Sequence, residues 1–263
     1  MNGLEVSLLK IVIESWRKPE ITRQEFLAYL AEVHAPLVRT HGPALGFTRY
    51  VQNHRIPSPE LDAFSSGRNW ADASDASVEI WVESEEAFSV ACASPEAAEA
   101  GLILEQDEKR FTSAKKISAF LGQEHVIFDH LAASHRFGPE DKTVKMVCQV
   151  WKRPELNAAA FQERWRIGHG NLVRQLAEPM GFKRYVQTHP VSSPTVAAFA
   201  GPRGWRQPPD GLTEIWWASE QALIHSFSAP EAAEAGAVLQ KDEVQFVDPK
   251  KVTAFLAREH VVF

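Results

Sequence analysis

Histidine, tyrosine and glutamate are the side chains in this sequence suited to moving a proton near neutrality, and most of them occur twice at matched places. His34 and His169 each follow apolar residues at helical spacing, and an imidazole that titrates near neutral pH suits general acid–base work. Capping of a backbone carbonyl near the helix end is the structural alternative for both. Tyr50 and Tyr185 offer phenols that could donate to a developing oxyanion, or could bury a ring and bond the backbone. Glu14 has no counterpart, because Gln149 takes its place. A base at that strand position could therefore work only in the first copy. Gln52, Gln187, His54 and His189 share strands with the tyrosines and extend the candidate binding surface, with a solvent-exposed strand end as the histidines' alternative. Planar walls for an aromatic compound could come from Trp16, Trp81, Trp151 and Trp216, although a domain interface would use the same area. The ten histidines show no His-x-His or His-Glu-x-x-His spacing, so no metal site is expected. No Gly-x-Gly-x-x-Gly loop is present, and the chemistry is expected to need no cofactor.

The elements that must hold these residues are legible because the chain is written twice. Residues 10–128 align without a gap onto residues 145–263, with roughly two-fifths of positions identical. Gly46-Phe47-x-Arg49-Tyr50-Val51-Gln52-x-His54 returns as Gly181-Phe182-x-Arg184-Tyr185-Val186-Gln187-x-His189. Each unit is too long for a solenoid repeat, which predicts two domains, residues 1–128 and 143–263, joined by a linker at 129–142. Within a unit, residues 10–16 alternate as a strand, and Thr22-x-x-Glu25 opens a helix as a capping box. Gly42-Pro43 and Gly46 close that helix. Two further strands follow at 49–54 and 77–82, then a helix from Ser84 that breaks at Pro95, then a strand at 116–121. The order βαββαβ is ferredoxin-like, and each sheet needs a cover on its helix-free face. A second copy supplies one, so the fold class is α+β with two ferredoxin-like repeats packed sheet to sheet.

Alternation along the strands places Lys10, Val12, Glu14, Trp16, Glu79, Trp81, Lys145, Gln149, Trp151, Glu214 and Trp216 between the sheets. The same reading adds Tyr50, Gln52 and His54 with their copies. A face so polar predicts a wet cavity or ligand site, or else a self-satisfied network between the domains. Glu79 and Glu214 could hold a histidine in its tautomer, but pairing with Lys10, Lys145 or an arginine is the favoured reading. The Glu124-His125 and Glu259-His260 tails fit a terminal strand that clasps the partner domain.

Composition narrows the function classes. The 263 residues are 44% hydrophobic and 24% charged with a formal net charge of −6, ordinary for a globular protein and poor for binding nucleic acid. Cys92 and Cys148 are too few for a disulfide framework and read as buried filler. Glu5, Lys10 and Glu14 interrupt any secretory run after Met1, and no segment approaches a membrane span, so a cytoplasmic location is expected.

The run Thr22-x-x-Glu25-Phe26-x-x-Tyr29-x-x-x-x-His34-Ala35-Pro36-Leu37-Val38, followed by Arg49-Tyr50-Val51-Gln52-x-His54, resembles the EthD family of the dimeric α/β-barrel superfamily. Both halves carry the resemblance, the second departing at Gly170-Asn171 where the first has Ala35-Pro36. It implies a barrel whose halves normally come from two subunits and are here fused. It also favours a functional role for His34 and His169, as the family's helix histidine. The implied activity is a cofactor-independent lyase, a dehydratase of an aromatic or polyketide-like small molecule, with lactone or double-bond isomerisation as the alternative. A non-enzymatic protein that binds a small aromatic ligand is the reading from a different class. Differences such as Tyr29 against Arg164 and Leu30 against Trp165 predict one working pocket, shaped by the loops at 57–76 and 192–211. A homodimer of the fused chain stays open.

Overall fold

The structure is a computed structural model that describes residues 8–132, 135, 137–138 and 140–263. The stretch directly after Met1, and residues 133, 134, 136 and 139 of the expected linker, lie outside the described residues. Strand β1 (Leu9–Ser15) leads to helix α1 (Arg23–Tyr29) through the expected capping box. The Glu25 N–H donates to Thr22 Oγ1 at 3.2 Å and the Thr22 N–H donates to Glu25 Oε2 at 2.7 Å, which partners backbone donors at the helix start. The helix then widens into a π-turn over Leu30–His34 and resumes as α2 (Ala35–His41). Gly46 ends it at φ +75°, in the left-handed region that favours glycine.

Next come β2 (Arg49–Ile56), α3 (Pro59–Gly67), β3 (Ala76–Val82), α4 (Glu85–Cys92), α5 (Pro95–Phe111) and β4 (Ser118–Asp129). Pro95 marks a turn of 88° between α4 and α5. The second half repeats the plan with β5 (Val144–Val150), α6 (Ala158–Glu163), a π-turn over Arg164–His169 and α7 (Gly170–Leu176). It continues through β6 (Arg184–Pro190), α8 (Pro194–Arg203), β7 (Gly211–Trp217), α9 (Glu220–Ser228), α10 (Pro230–Glu243) and β8 (Thr253–Val261). Helices α3 and α8 lie in segments that periodicity left as loops. No single helix among the described residues is long and apolar enough to cross a membrane.

The eight strands form one closed antiparallel barrel in the order β1-β3-β2-β8-β5-β7-β6-β4. Its seams are β2 against β8 and β4 against β6, so each half's last strand clasps the other half, as the tails suggested. Ile127 and Phe128 continue into the second half's core and Phe263 into the first's. The fold is α+β, two ferredoxin-like repeats joined sheet to sheet as a barrel within one chain.

Ion pairs fill the centre of the barrel. Lys10 Nζ bonds Glu214, lies 2.8 Å from Glu124 and 3.7 Å from Glu79. Lys145 Nζ lies 3.0 Å from Glu79, 2.7 Å from Glu214 and 3.1 Å from Glu259. The Trp81 and Trp216 indoles donate to Glu124 and Glu259, each at 2.9 Å. The face between the sheets thus holds a network of ion pairs between the halves, with an apolar layer of Val12, Phe120, Val147, Leu212 and Phe255 beside it. The network is not fully satisfied, because Glu14 Oε1, Asn53 Oδ1 and Thr188 Oγ1 have no partner there among the described residues.

The second strand of each half departs from the expected facing. Val51 lies opposite Glu79 in the β2·β3 register, so Val51 and Asn53 point into the barrel, while Tyr50, Gln52 and His54 point to the helices. The same holds for Val186 opposite Glu214, leaving Tyr185, Gln187 and His189 on the helix side. Polar residues occupy both faces of these strands, so polarity could not say which side was which.

Candidate functional site

Turning β2 and β6 around brings the tyrosines to the helix histidines. In each half a cavity opens between the sheet and the helices. The second half's is about 110 Å³, lined by His169, Tyr185, Thr213, Cys148, Trp165 and Trp217 among others. That is somewhat below the roughly 150 Å³ that admits benzene in a closed engineered cavity, but this cavity is partly open to solvent, so a ligand need not fit within it whole. The first half's is about 50 Å³ and is lined by His34, Tyr50, Glu108 and Phe111.

A carboxylate on the neighbouring helix holds each histidine. His34 Nδ1 lies 2.9 Å from Asp107 Oδ2 on α5, and His169 Nδ1 lies 3.0 Å from Asp242 Oδ2 on α10. A carboxylate can only accept, so Nδ1 carries the proton, and in the neutral imidazole Nε2 holds the lone pair. The other Asp107 oxygen accepts from Tyr29 Oη at 2.6 Å, whereas Arg164 bonds Asp242. Burial pushes the Asp107 carboxyl up, but the hydrogen bonds from His34 and Tyr29 outweigh it and hold the group below its ordinary value. The hydrogen bond from His169 does the same for Asp242. Burial raises both the Tyr50 and Tyr185 phenols, so they stay protonated as donors.

The two halves roof each other's cavities. Phe64, Arg68 and Trp70, on and just after α3, line the second half's cavity. The Arg68 guanidinium lies 4.2 Å from the Phe64 ring centre and donates to Glu243 at 2.6 Å. Reciprocally, Phe199 and Trp205 line the first half's cavity. Arg203 lies 3.6 Å from the Phe199 ring centre and 3.6 Å from Glu108 Oε2. Burial raises the Glu108 carboxyl.

The EthD domain model matches residues 18–115 and 153–250. The chain belongs to the EthD family. An EthD family protein from Bacillus halodurans C-125 is similar over 45% of this chain and 99% of its own, at 19% identity and a TM-score of 0.31. A dye-decolorizing peroxidase from Bacteroides thetaiotaomicron is similar over 95% of this chain and 92% of its own, at 9% identity and a TM-score of 0.49. A variant chlorite dismutase from Candidatus Nitrospira defluvii shares 10% identity over 98% of this chain and 93% of its own, with a TM-score of 0.44. No match is found among curated proteins.

This EthD chain brings together His34 with Tyr50 and His169 with Tyr185, but not the rest of the expected set. Glu14 is buried at the barrel side of β1, bonded to Arg206 and, at 3.1 Å, to Ser118, and it lines neither cavity. Trp81 and Trp216 belong to the ion-pair network instead of a ligand wall, because their strand positions face inward. Trp16 and Trp151 lie beneath Lys116 and Lys251, away from the cavities. His54 stacks on His260 at 3.9 Å, and His189 stacks on Trp165 at 4.4 Å; both are buried, not at a solvent-exposed strand end, and neither lines either cavity. Gln52 and Gln187 bond helix carbonyls and do not line the cavities.

The tryptophans that do line a cavity are Trp70, Trp165 and Trp217 in the second half and Trp205 in the first. Sequence reasoning also missed Asp107 and Asp242, and the roof residues. A signal existed for both: Asp107-Glu108 returns as Asp242-Glu243, and Phe64-x-x-x-Arg68-x-Trp70 returns as Phe199-x-x-x-Arg203-x-Trp205.

Proposed function

We propose that this EthD protein is a lyase of dehydratase type, acting by histidine acid–base chemistry on an aromatic or polyketide-like small molecule bound in the second-half cavity. The observation that carries the reading is His169, held through Nδ1 by Asp242, beside the Tyr185 phenol in a cavity walled by Trp165 and Trp217. His169 Nε2 removes a proton from the carbon next to a carbonyl, and Tyr185 donates to the enolate oxygen. The enolate electrons form the carbon–carbon double bond as the β-hydroxyl leaves, and the imidazolium returns its proton to that hydroxyl to give water. Apolar walls strengthen these polar contacts by excluding solvent.

The second half is favoured because its cavity is the larger, about 110 Å³ against about 50 Å³. It also has Trp165 and Trp217 where the first has Leu30 and Val82. Lactone or double-bond isomerisation would use the same groups, with the proton returned to carbon.

The test begins with thermal stabilisation by a panel of aromatic ketones, hydroxyquinones, lactones and catechols. A ligand at 100 times its Kd adds about 2.7 kcal/mol of stability. Hits are then incubated with the parent, His169→Ala and His34→Ala. The reading requires conversion by the parent and by His34→Ala, and binding without conversion by His169→Ala, with kcat lowered about 10²- to 10⁴-fold. Conversion by His169→Ala at the parent rate overturns it, and hits unchanged by all three proteins point to a ligand-binding protein.

A further inference from the structure

Beneath each histidine runs the same three-part contact, and the acid–base reading leaves it unused. In the second half, Gln187 Nε2 donates to the Trp165 carbonyl at 3.0 Å, and Gln187 Oε1 faces His189 Nε2 at 3.0 Å. In the first half, Gln52 Nε2 donates to the Leu30 carbonyl at 2.9 Å, and Gln52 Oε1 faces His54 Nε2 at 2.9 Å. A backbone carbonyl can only accept, so the glutamine must turn its NH₂ to the helix and its oxygen to the histidine. The histidine must then carry its proton on Nε2. Burial, with a neighbouring histidine adding to it, holds His54 and His189 down to about 3, so both rings are neutral donors at working pH.

The accepting carbonyl is where the helix widens. The Ala35 N–H bonds the Leu30 carbonyl and the Gly170 N–H bonds the Trp165 carbonyl, each closing a wide turn across His34 or His169. One extra residue in a turn shifts all later side chains by about 100° around the axis. The direction of the imidazole therefore depends on the wide turn. Proline is not its common cause: Pro36 follows the first turn, but Asn171 stands at the matching place after the second, and both turns form. The glutamine and its histidine are shared by both halves.

We propose that Gln187 and His189, with Gln52 and His54 in the first half, are positioning residues that fix the wide turn and so aim the helix histidine. The proposal deepens the acid–base reading and rests on it for its kinetic consequence, but not for its structural one. Gln187→Met keeps the length of the side chain and removes the donor. His189→Phe keeps a ring stacked on Trp165 and removes the group that orients the amide.

With histidine labelled by ¹⁵N, the His169 Nδ1–H bonded to Asp242 reports the ring's placement by NMR, and the His34 signal in the same sample is an internal control. Both variants are expected to move or broaden the His169 signal and leave that of His34 in place, with Gln52→Met doing the reverse. Where the parent turns over a hit, Gln187→Met should lower kcat about ten- to a hundredfold with KM within about twofold. A His169 signal unmoved in folded Gln187→Met, or in folded His189→Phe should the first not fold, overturns the proposal. An intact NMR effect without turnover in the parent would instead fault the acid–base reading alone.

Discussion

At residue scale, one exchanged pair shows how the halves have diverged together. Trp165 replaces Leu30, and Gly211 replaces Ala76 on the strand beneath it. A Cβ at Gly211 would come within 2.3 Å of the Trp165 ring, so the tryptophan fits only because the glycine gave up a methyl group. Gly211→Ala should therefore cost about 1–3 kcal/mol in urea unfolding, through overpacking. Adding Trp165→Leu should recover most of that loss, giving a coupling well outside additivity. Additive losses would mean the two positions do not meet as described. Residue type and repetition marked the histidines and tyrosines as candidates, and the family resemblance favoured the histidines over a capping role. Their carboxylate partners were not, because Asp107 and Asp242 sit 73 residues beyond their histidines, on a separate helix.

At the scale of elements, α3 and α8 matter most, since each leaves its own half to roof the other's cavity. Periodicity could not find them: each begins at a proline inside a Ser-Pro-rich stretch, and α8 carries Pro202 within it. Arg68 holds one roof through the Glu243 ion pair and the Phe64 ring, and it is largely buried there. Arg68→Ala should weaken a ligand of the second-half cavity about tenfold, roughly 1.4 kcal/mol, while Arg203→Ala should leave that affinity unchanged. Calorimetric titration of one hit against the two variants checks this, and equal losses would contradict the assignment of roofs. The strands themselves were read correctly in order and type. Facing failed on β2 and β6 because Asn53 and Gln52 are both polar, and the reader of a sequence cannot see that Asn53 bonds Glu79 while Gln52 bonds a helix.

At the scale of the whole molecule, duplication explains both the closed barrel and the charge at its centre. Lys10 reaches Glu214 and Lys145 reaches Glu79, so the pairs that hold the barrel interior cross from one half to the other. Burial pushes the Glu79 carboxyl up to about 7, with the Glu214 charge adding to it. Below about pH 4.5 this carboxyl is protonated in both the folded and unfolded chain and has no effect. Between about 4.5 and 7 the unfolded chain ionises first, so stability falls as pH rises, and the loss is complete above 7. His54 and His189 act in the opposite sense. Their lowered values mean stability is lost as pH falls from about 6.5 towards 3. Comparing parent with Glu79→Gln separates the two: from pH 5 to 8 the parent should lose stability relative to the variant, in urea unfolding at matched pH. A constant difference across that range would mean Glu79 is ionised throughout. The fold at this scale was visible in the repeat, because a ferredoxin-like sheet cannot leave its open face bare. The contents of the barrel were not, since a row of buried Glu, Lys and Trp reads equally as a ligand site or as a lattice of ion pairs.

The central claim is that His169 moves a proton on a bound ligand, and exchange in D₂O measures that step whatever product follows. A hit carrying a carbonyl is incubated in D₂O with the parent, His169→Ala and His34→Ala, and deuterium is followed by mass spectrometry at the carbon beside the carbonyl and in any product. The account predicts incorporation with the parent and with His34→Ala, and only the solvent background with His169→Ala. Incorporation by His169→Ala at the parent rate would contradict it.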